Sequence, residues 1–293
     1  MIFDYEKKTT IADILHKRAD ELRSLGRSQT AEHYDSTARK IINMDSDAPL
    51  SDIRVGVICD LSEKLLASGL DKNTVAFYLR TARAAYNYAV NHELVKDTKP
   101  FAKVNCATKK TRKRALTEPQ LKAVATLDIS DKHLLFARDL FLLSYMLRGM
   151  PPIDLFNLRW SDINNGVLSY KRSKTKQAIV IQVCKPIEDL LNKIGNKNSD
   201  LIFSVSCRIK SRQRQISEWL HKVGDMAKIP FPLTMYVARH TWASMAQTKN
   251  VPLAVISKGL GHDNLLTTQV YLSGIENCVV DRYNRNLIAI ITK

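Results

Sequence analysis

Arg239, His262 and Tyr271 fall in one stretch of the sequence, as A-R-H-T-W-A-S, then L-G-H, then T-T-Q-V-Y. These residue types suit phosphate chemistry. A site that breaks a phosphodiester without a metal needs a nucleophile, cations around the phosphate and an acid for the leaving oxygen. Tyr271 supplies a phenolic nucleophile. Arg239 is permanently charged, and its fork can hold two phosphate oxygens at once. His262 can donate to a third oxygen. Lys174, in the basic segment R-S-K-T-K, can protonate the leaving 5′ oxygen. Each residue alone has an ordinary structural explanation, such as a half-buried helix tyrosine or a solvated helix cation. Their combination and spacing argue for the chemical reading.

The composition points to a polyanionic substrate. Over 293 residues, 45 Lys and Arg oppose 29 Asp and Glu, a formal charge of +16. Such an excess favours nucleic acid, because neutralising phosphates releases condensed counterions. The 45% apolar content is enough to bury a full core, and the length suits two domains of ordinary size. Five cysteines lie far apart with no C-x-x-C, which argues for reduced thiols and against a disulfide framework or zinc site. No signal-peptide core and no apolar run of membrane-spanning length appears, so a soluble, cytoplasmic protein is expected.

The elements that must position these residues are mainly helical. Apolar spacing predicts helices over 11–25, 30–44 and 53–67, and a fourth capped by Asp71. Residues 1–98 are then expected to form a compact four-helix domain. Residues 99–114 form a basic linker with Lys109, Lys110, Arg112, Lys113 and Arg114 suited to track a DNA backbone. Residues 115–293 form the second domain. Thr117 caps its first helix, and 134–147 is its apolar core helix. The sequence has one clear β signal, a hairpin from Val167–Lys171 and Ala178–Val183 with Lys174 and Lys176 at its tip. Helices follow at 185–194, 212–227, 234–247, 252–259 and 264–272, then a tail helix over Val279–Ile291.

Taken together, R-H-T-W-A-S, L-G-H, T-T-Q-V-Y and S-K-T-K, with L-F-N-L-R-W-S-D-I and R-A-L-T, resemble the tyrosine recombinases, or phage-type integrases. The likeness extends over nearly the whole chain. It implies a helical core-binding domain and a catalytic domain with a small β-hairpin or sheet, closing as a C-shaped clamp on double-stranded DNA. Tyr271 would form a 3′-phosphotyrosyl bond with no cofactor, ATP or metal. Four protomers would act on paired sites, with the tail docking on a neighbour. An integrase of a mobile element is expected, with no arm-binding domain ahead of residue 10.

Two positions depart from the family pattern. The first catalytic arginine normally stands three residues before an acidic one, here Asp154, but that position is Pro151. Arg148, in R-G-M, is the nearest arginine and the candidate substitute. Tyr236 stands where the family carries histidine or lysine; a phenol can bond a phosphate oxygen but is a poor base at neutral pH. His240 is expected to buttress the site or touch DNA. These departures leave a type IB topoisomerase-like enzyme, or a catalytically silent DNA-binding relative, as alternatives.

Overall fold

The structure, a computed structural model, describes residues 9–109, 114–203 and 209–261. The helices expected at 264–272 and 279–291, together with His262, Tyr271, Lys110, Arg112 and Lys113, lie outside the described residues. The chain divides into two compact units, Met1–Thr111 and Arg112–Lys293.

The first unit holds α1 (Ile11–Ser24), α2 (Ser28–Asn43), α3 (Val55–Ala67) and α4 (Lys72–Asn91). Their starts follow from local chemistry. Thr10 and Asp13 form a reciprocal capping box on α1, and the Asp71 carboxylate accepts from the amides of Asn73 and Thr74. Leu15, Ile41, Leu65, Leu79 and Tyr86 are fully buried and come from all four helices. Each such side chain contributes roughly 1.5–3 kcal/mol by leaving water. The Tyr86 hydroxyl donates to Lys96 O and accepts from Thr98 N, pinning the chain that leaves α4.

The second unit is built around α6 (Lys132–Met146), whose buried residues include Leu140, Phe141, Leu142 and Leu143. The apolar run predicted this central place. Asp139 in the same helix is also buried; it accepts from the Arg138 guanidinium, and Lys193 lies 2.7 Å away. Lys193 belongs to α8 (Lys185–Ile194) and is exposed, so an ion pair with one buried partner ties two helices together. Before α6 comes α5 (Glu118–Ala125), capped by Thr117, and after it α7 (Pro152–Phe156).

A three-stranded antiparallel sheet follows, in the order β1 (Ile163–Asn164), β2 (Val167–Lys171), β3 (Ala178–Gln182). The short β1 goes beyond the expected hairpin. Leu168 pairs with Ile181 and Tyr170 with Ile179, which places the inward residues of both strands side by side. Helices α9 (Ile209–Met226), α10 (Met235–Thr248) and α11 (Leu253–Leu260) complete the described unit. Among the described residues no helix is long and apolar enough to cross a membrane.

Candidate active site and nucleic-acid interface

Arg239 lies in the middle of α10 and is 3% exposed. It is a buried cation with directed partners. One terminal nitrogen donates to Gly149 O at 3.0 Å and the other to Leu260 O at 2.6 Å. Both acceptors are carbonyls at helix ends, where the backbone lacks its own donors and the dipole favours positive charge.

The Gly149 carbonyl is aimed by the turn that ends α6. Arg148 and Gly149 both take the left-handed conformation, at φ 59° and 69°. Gly149 N and Met150 N donate to Ser144 O, and the Ser144 hydroxyl donates to Met150 O. The turn presses directly on α10: a Cβ at Gly149 would stand 2.5 Å from Arg239 Cα. Only glycine meets both conditions there. Arg148, half-buried, is therefore one residue from the carbonyl that holds Arg239. Pro151 serves as the N-cap of α7.

The Leu260 carbonyl comes from the end of α11, which closes on Gly261 in the left-handed conformation at φ 63°. A Cβ on Gly261 would stand 2.7 Å from Ile179 Cδ1 and 3.3 Å from Arg172 Cδ, so the hairpin seats against this helix end. Arg172, 7% exposed, donates from one terminal nitrogen to Leu260 O at 3.0 Å and also to Gly261 O. Arg239 and Arg172 thus share the Leu260 carbonyl.

Lys174 and Lys176 occupy the exposed hairpin turn. The turn is closed by Arg172 N to Gln177 O and Lys176 N to Arg172 O, both 2.8 Å. It is also held from below. The buried Asp154 carboxylate accepts from Ser173 N at 2.9 Å. Lys174 is thereby two residues from an arginine anchored beside Gly261, the residue that precedes His262.

Tyr170, one inward position before Arg172 on β2, reports the field at this place. Burial, and then the Asp154 carboxylate, pushes its phenol up to about 12, while Arg239, Arg172 and Arg148 act the other way. Tyr236 is 52% exposed on α10, and the buried His240 ring meets it edge-on at 4.5 Å and 88°. Thr241 accepts from Leu116 N at 2.9 Å, which fastens the start of this unit to α10.

In the first unit, Lys109 exchanges hydrogen bonds with Asn73 at the start of α4, N to Oδ1 at 2.7 Å and Nδ2 to O at 3.2 Å. Arg80 donates to Cys106 O and Thr108 Oγ1 from the same helix. The basic segment is therefore laid along α4 up to Lys109. Arg114 is exposed at the start of the next described stretch.

The structure brings Arg239, the Arg148 turn, the lysine hairpin and the residue before His262 to one place. Arg172 and Asp154 were given no role from sequence, although parity could have found the first. Leu168, Tyr170 and Arg172 stand at alternate positions, and that alternation continues the buried face of β2 beyond its end.

Residues 114–276 match the phage integrase family and residues 10–106 the phage integrase SAM-like domain, so the chain belongs to the phage integrase family. A tyrosine recombinase of Pseudothermotoga lettingae is 23% identical over 256 residues, covering 83% of this chain and 86% of its own length. Among solved structures, a lambda integrase (75–356) dimer bound to a COC′ core site superposes with a TM-score of 0.71 at 22% identity, covering 92% of this chain and 98% of its own. The Tn1549 transposon integrase in complex with a circular intermediate DNA gives 0.75 at 14%, covering 94% and 99%. The chain is accordingly a site-specific DNA recombinase of the tyrosine class.

Proposed function

We propose that this recombinase cleaves one DNA strand with Tyr271 and serves the integration of a mobile element. The phenol oxygen bonds to phosphorus as the bond to the 5′ oxygen breaks. The phenolic proton passes to water, and Lys174 protonates the leaving oxygen. Arg239 and His262 hold the non-bridging oxygens, and Arg148 adds positive potential from the turn that receives Arg239. Tyr236, exposed one helical turn before Arg239, donates a hydrogen bond to the phosphate, with His240 supporting its ring from behind. The residues Lys109, Lys110, Arg112, Lys113, Arg114 and Lys176 meet the DNA backbone as the helical unit (1–98) and the catalytic unit (115–293) close on the duplex. The reading further places four protomers on paired sites, with the tail after Tyr271 exchanged between them.

The observation that carries this reading is the shared fastening of Arg239, the lysine hairpin and Gly261. It fixes three separate chain segments around one spot. The mobile-element assignment is supported by the likeness to the Tn1549 transposon integrase. A randomised duplex library, nicked near one end so that the cleaved piece diffuses away, tests it. The chain is expected to retain a defined set of sequences covalently, and Tyr271→Phe to bind the same sequences without retaining them. Equal covalent retention by Tyr271→Phe would sink the assignment.

A further inference from the structure

We propose that Arg172 is the second arginine of the phosphate site, taking the role that Pro151 leaves unfilled. The inference rests on the strand-cleavage reading above. Four observations converge on it. Arg172 is 7% exposed, yet no carboxylate pairs with it among the described residues. The nearby buried carboxylate, Asp154, gives one oxygen to Ser173 N and keeps the other without a hydrogen-bond partner, so neither oxygen bonds Arg172. A buried guanidinium without a counter-ion is costly, and an arriving anion relieves that cost.

Second, the helix-end carbonyls of Leu260 and Gly261 engage a single terminal nitrogen of Arg172, while its Nε is buried with no hydrogen-bond partner. A guanidinium has five donors. A residue serving only to cap α11 has no use for a buried, unpaired Nε. Third, Arg172 and Arg239 reach the same Leu260 oxygen, so their nitrogens stand no further apart than the two bonds laid end to end. Two like charges held so closely make the spot between and beside them attractive to an anion. Fourth, Arg172 is two residues from Lys174 and is anchored beside Gly261, so it enters from the segment that carries the acid.

The role follows from the charge balance. As the phosphorus–oxygen bond to Tyr271 forms and the bond to the 5′ oxygen breaks, negative charge concentrates on two non-bridging oxygens. Arg239 forks onto one side of that group and Arg172 onto the other, while Lys174 gives its proton to the leaving oxygen. Nothing beyond the protein and the DNA takes part.

The test uses the full chain and a nicked duplex recovered from the library, made with either the native scissile phosphate or a methylphosphonate. The methylphosphonate replaces one charged oxygen by a methyl group. Arg172→Ala is expected to form adduct about 100-fold more slowly than the parent on phosphate, with DNA binding kept. On the methylphosphonate most of that deficit disappears, because there is less charge to stabilise. Arg172→Lys, which keeps charge but loses the fork, should fall between the two. A variant damaged only in folding is equally slow on both substrates, and that result would overturn the proposal. So would a rate for Arg172→Ala within about threefold of the parent, or rescue by methylphosphonate confined to Arg148→Ala. If the parent chain itself forms no adduct on native DNA, the strand-cleavage reading fails and this proposal with it.

Discussion

Replacing Gly149 by alanine tests how the site is held, and the cost can be worked from two separable parts. The backbone at Gly149 sits at φ +69°, where an L side chain costs about 1–2 kcal/mol. The new Cβ would also stand 2.5 Å from Arg239 Cα and 2.8 Å from both its Cβ and Cγ. The first of these is backbone and cannot swing aside, so α10 must shift. Such overpacking adds about 1–3 kcal/mol. Gly166 supplies the control, because it sits at φ +72° with nothing within 4 Å. Gly166→Ala carries the backbone cost alone, about 1 kcal/mol. Gly149→Ala should therefore lower stability by about 2–5 kcal/mol, and an intermediate loss of 3 corresponds to a fall in Tm of roughly 6–12 °C for a unit of this size. A shift of Arg239 by even an ångström should also slow adduct formation about 100-fold. Thermal melting and suicide-substrate kinetics on the two variants read both effects. Equal behaviour of Gly149→Ala and Gly166→Ala would refute the claim that this turn seats Arg239.

Three further outcomes follow from the same geometry. Tyr170 has a raised phenol pKa, so its neutral form is favoured in the folded state; its contribution is intact below about pH 10 and fades as pH rises to about 12. In urea unfolding across that window, Tyr170→Phe should lose stability less steeply than the parent, and parallel profiles would contradict the assignment. Asp154→Ala removes the acceptor for Ser173 N, so cleavage should fall more than DNA affinity, whereas Asp154→Asn, which keeps an acceptor, should be milder; the adduct rate and a binding isotherm separate the two. Thr241→Val strands the buried Leu116 amide and should cost about 1–3 kcal/mol in urea unfolding, with no change expected if that amide finds another partner.

Much of the scaffold was legible because it rests on local chemistry. The caps at Asp71 and Thr117, the apolar run of α6 and the paired strands around R-S-K-T-K are each set by residues close in sequence. The candidate site was legible only in part. Arg239 and Lys174 could be chosen by residue type and motif, but nothing near Arg239 announces that its acceptors are Gly149 and Leu260. Those partners are set by how helix ends meet in space. In the sequence Arg172 is one of three cations in the segment R-S-K-T-K, and only the inward parity of β2 betrays its burial. Asp139 is harder still. A carboxylate inside an apolar helix is tolerated because Arg138 and Lys193 reach it, and Lys193 comes from a helix beyond the sheet.

The central claim is that the chain breaks DNA through Tyr271. Trapping the chain on the recovered nicked duplex, digesting both components and locating the modified peptide by mass spectrometry tests it most directly. A nucleotide joined through its 3′-phosphate to the phenol of Tyr271 is expected, and none when that residue is phenylalanine. A nucleotide found on any other side chain, or cleaved DNA with no covalent protein, would contradict it.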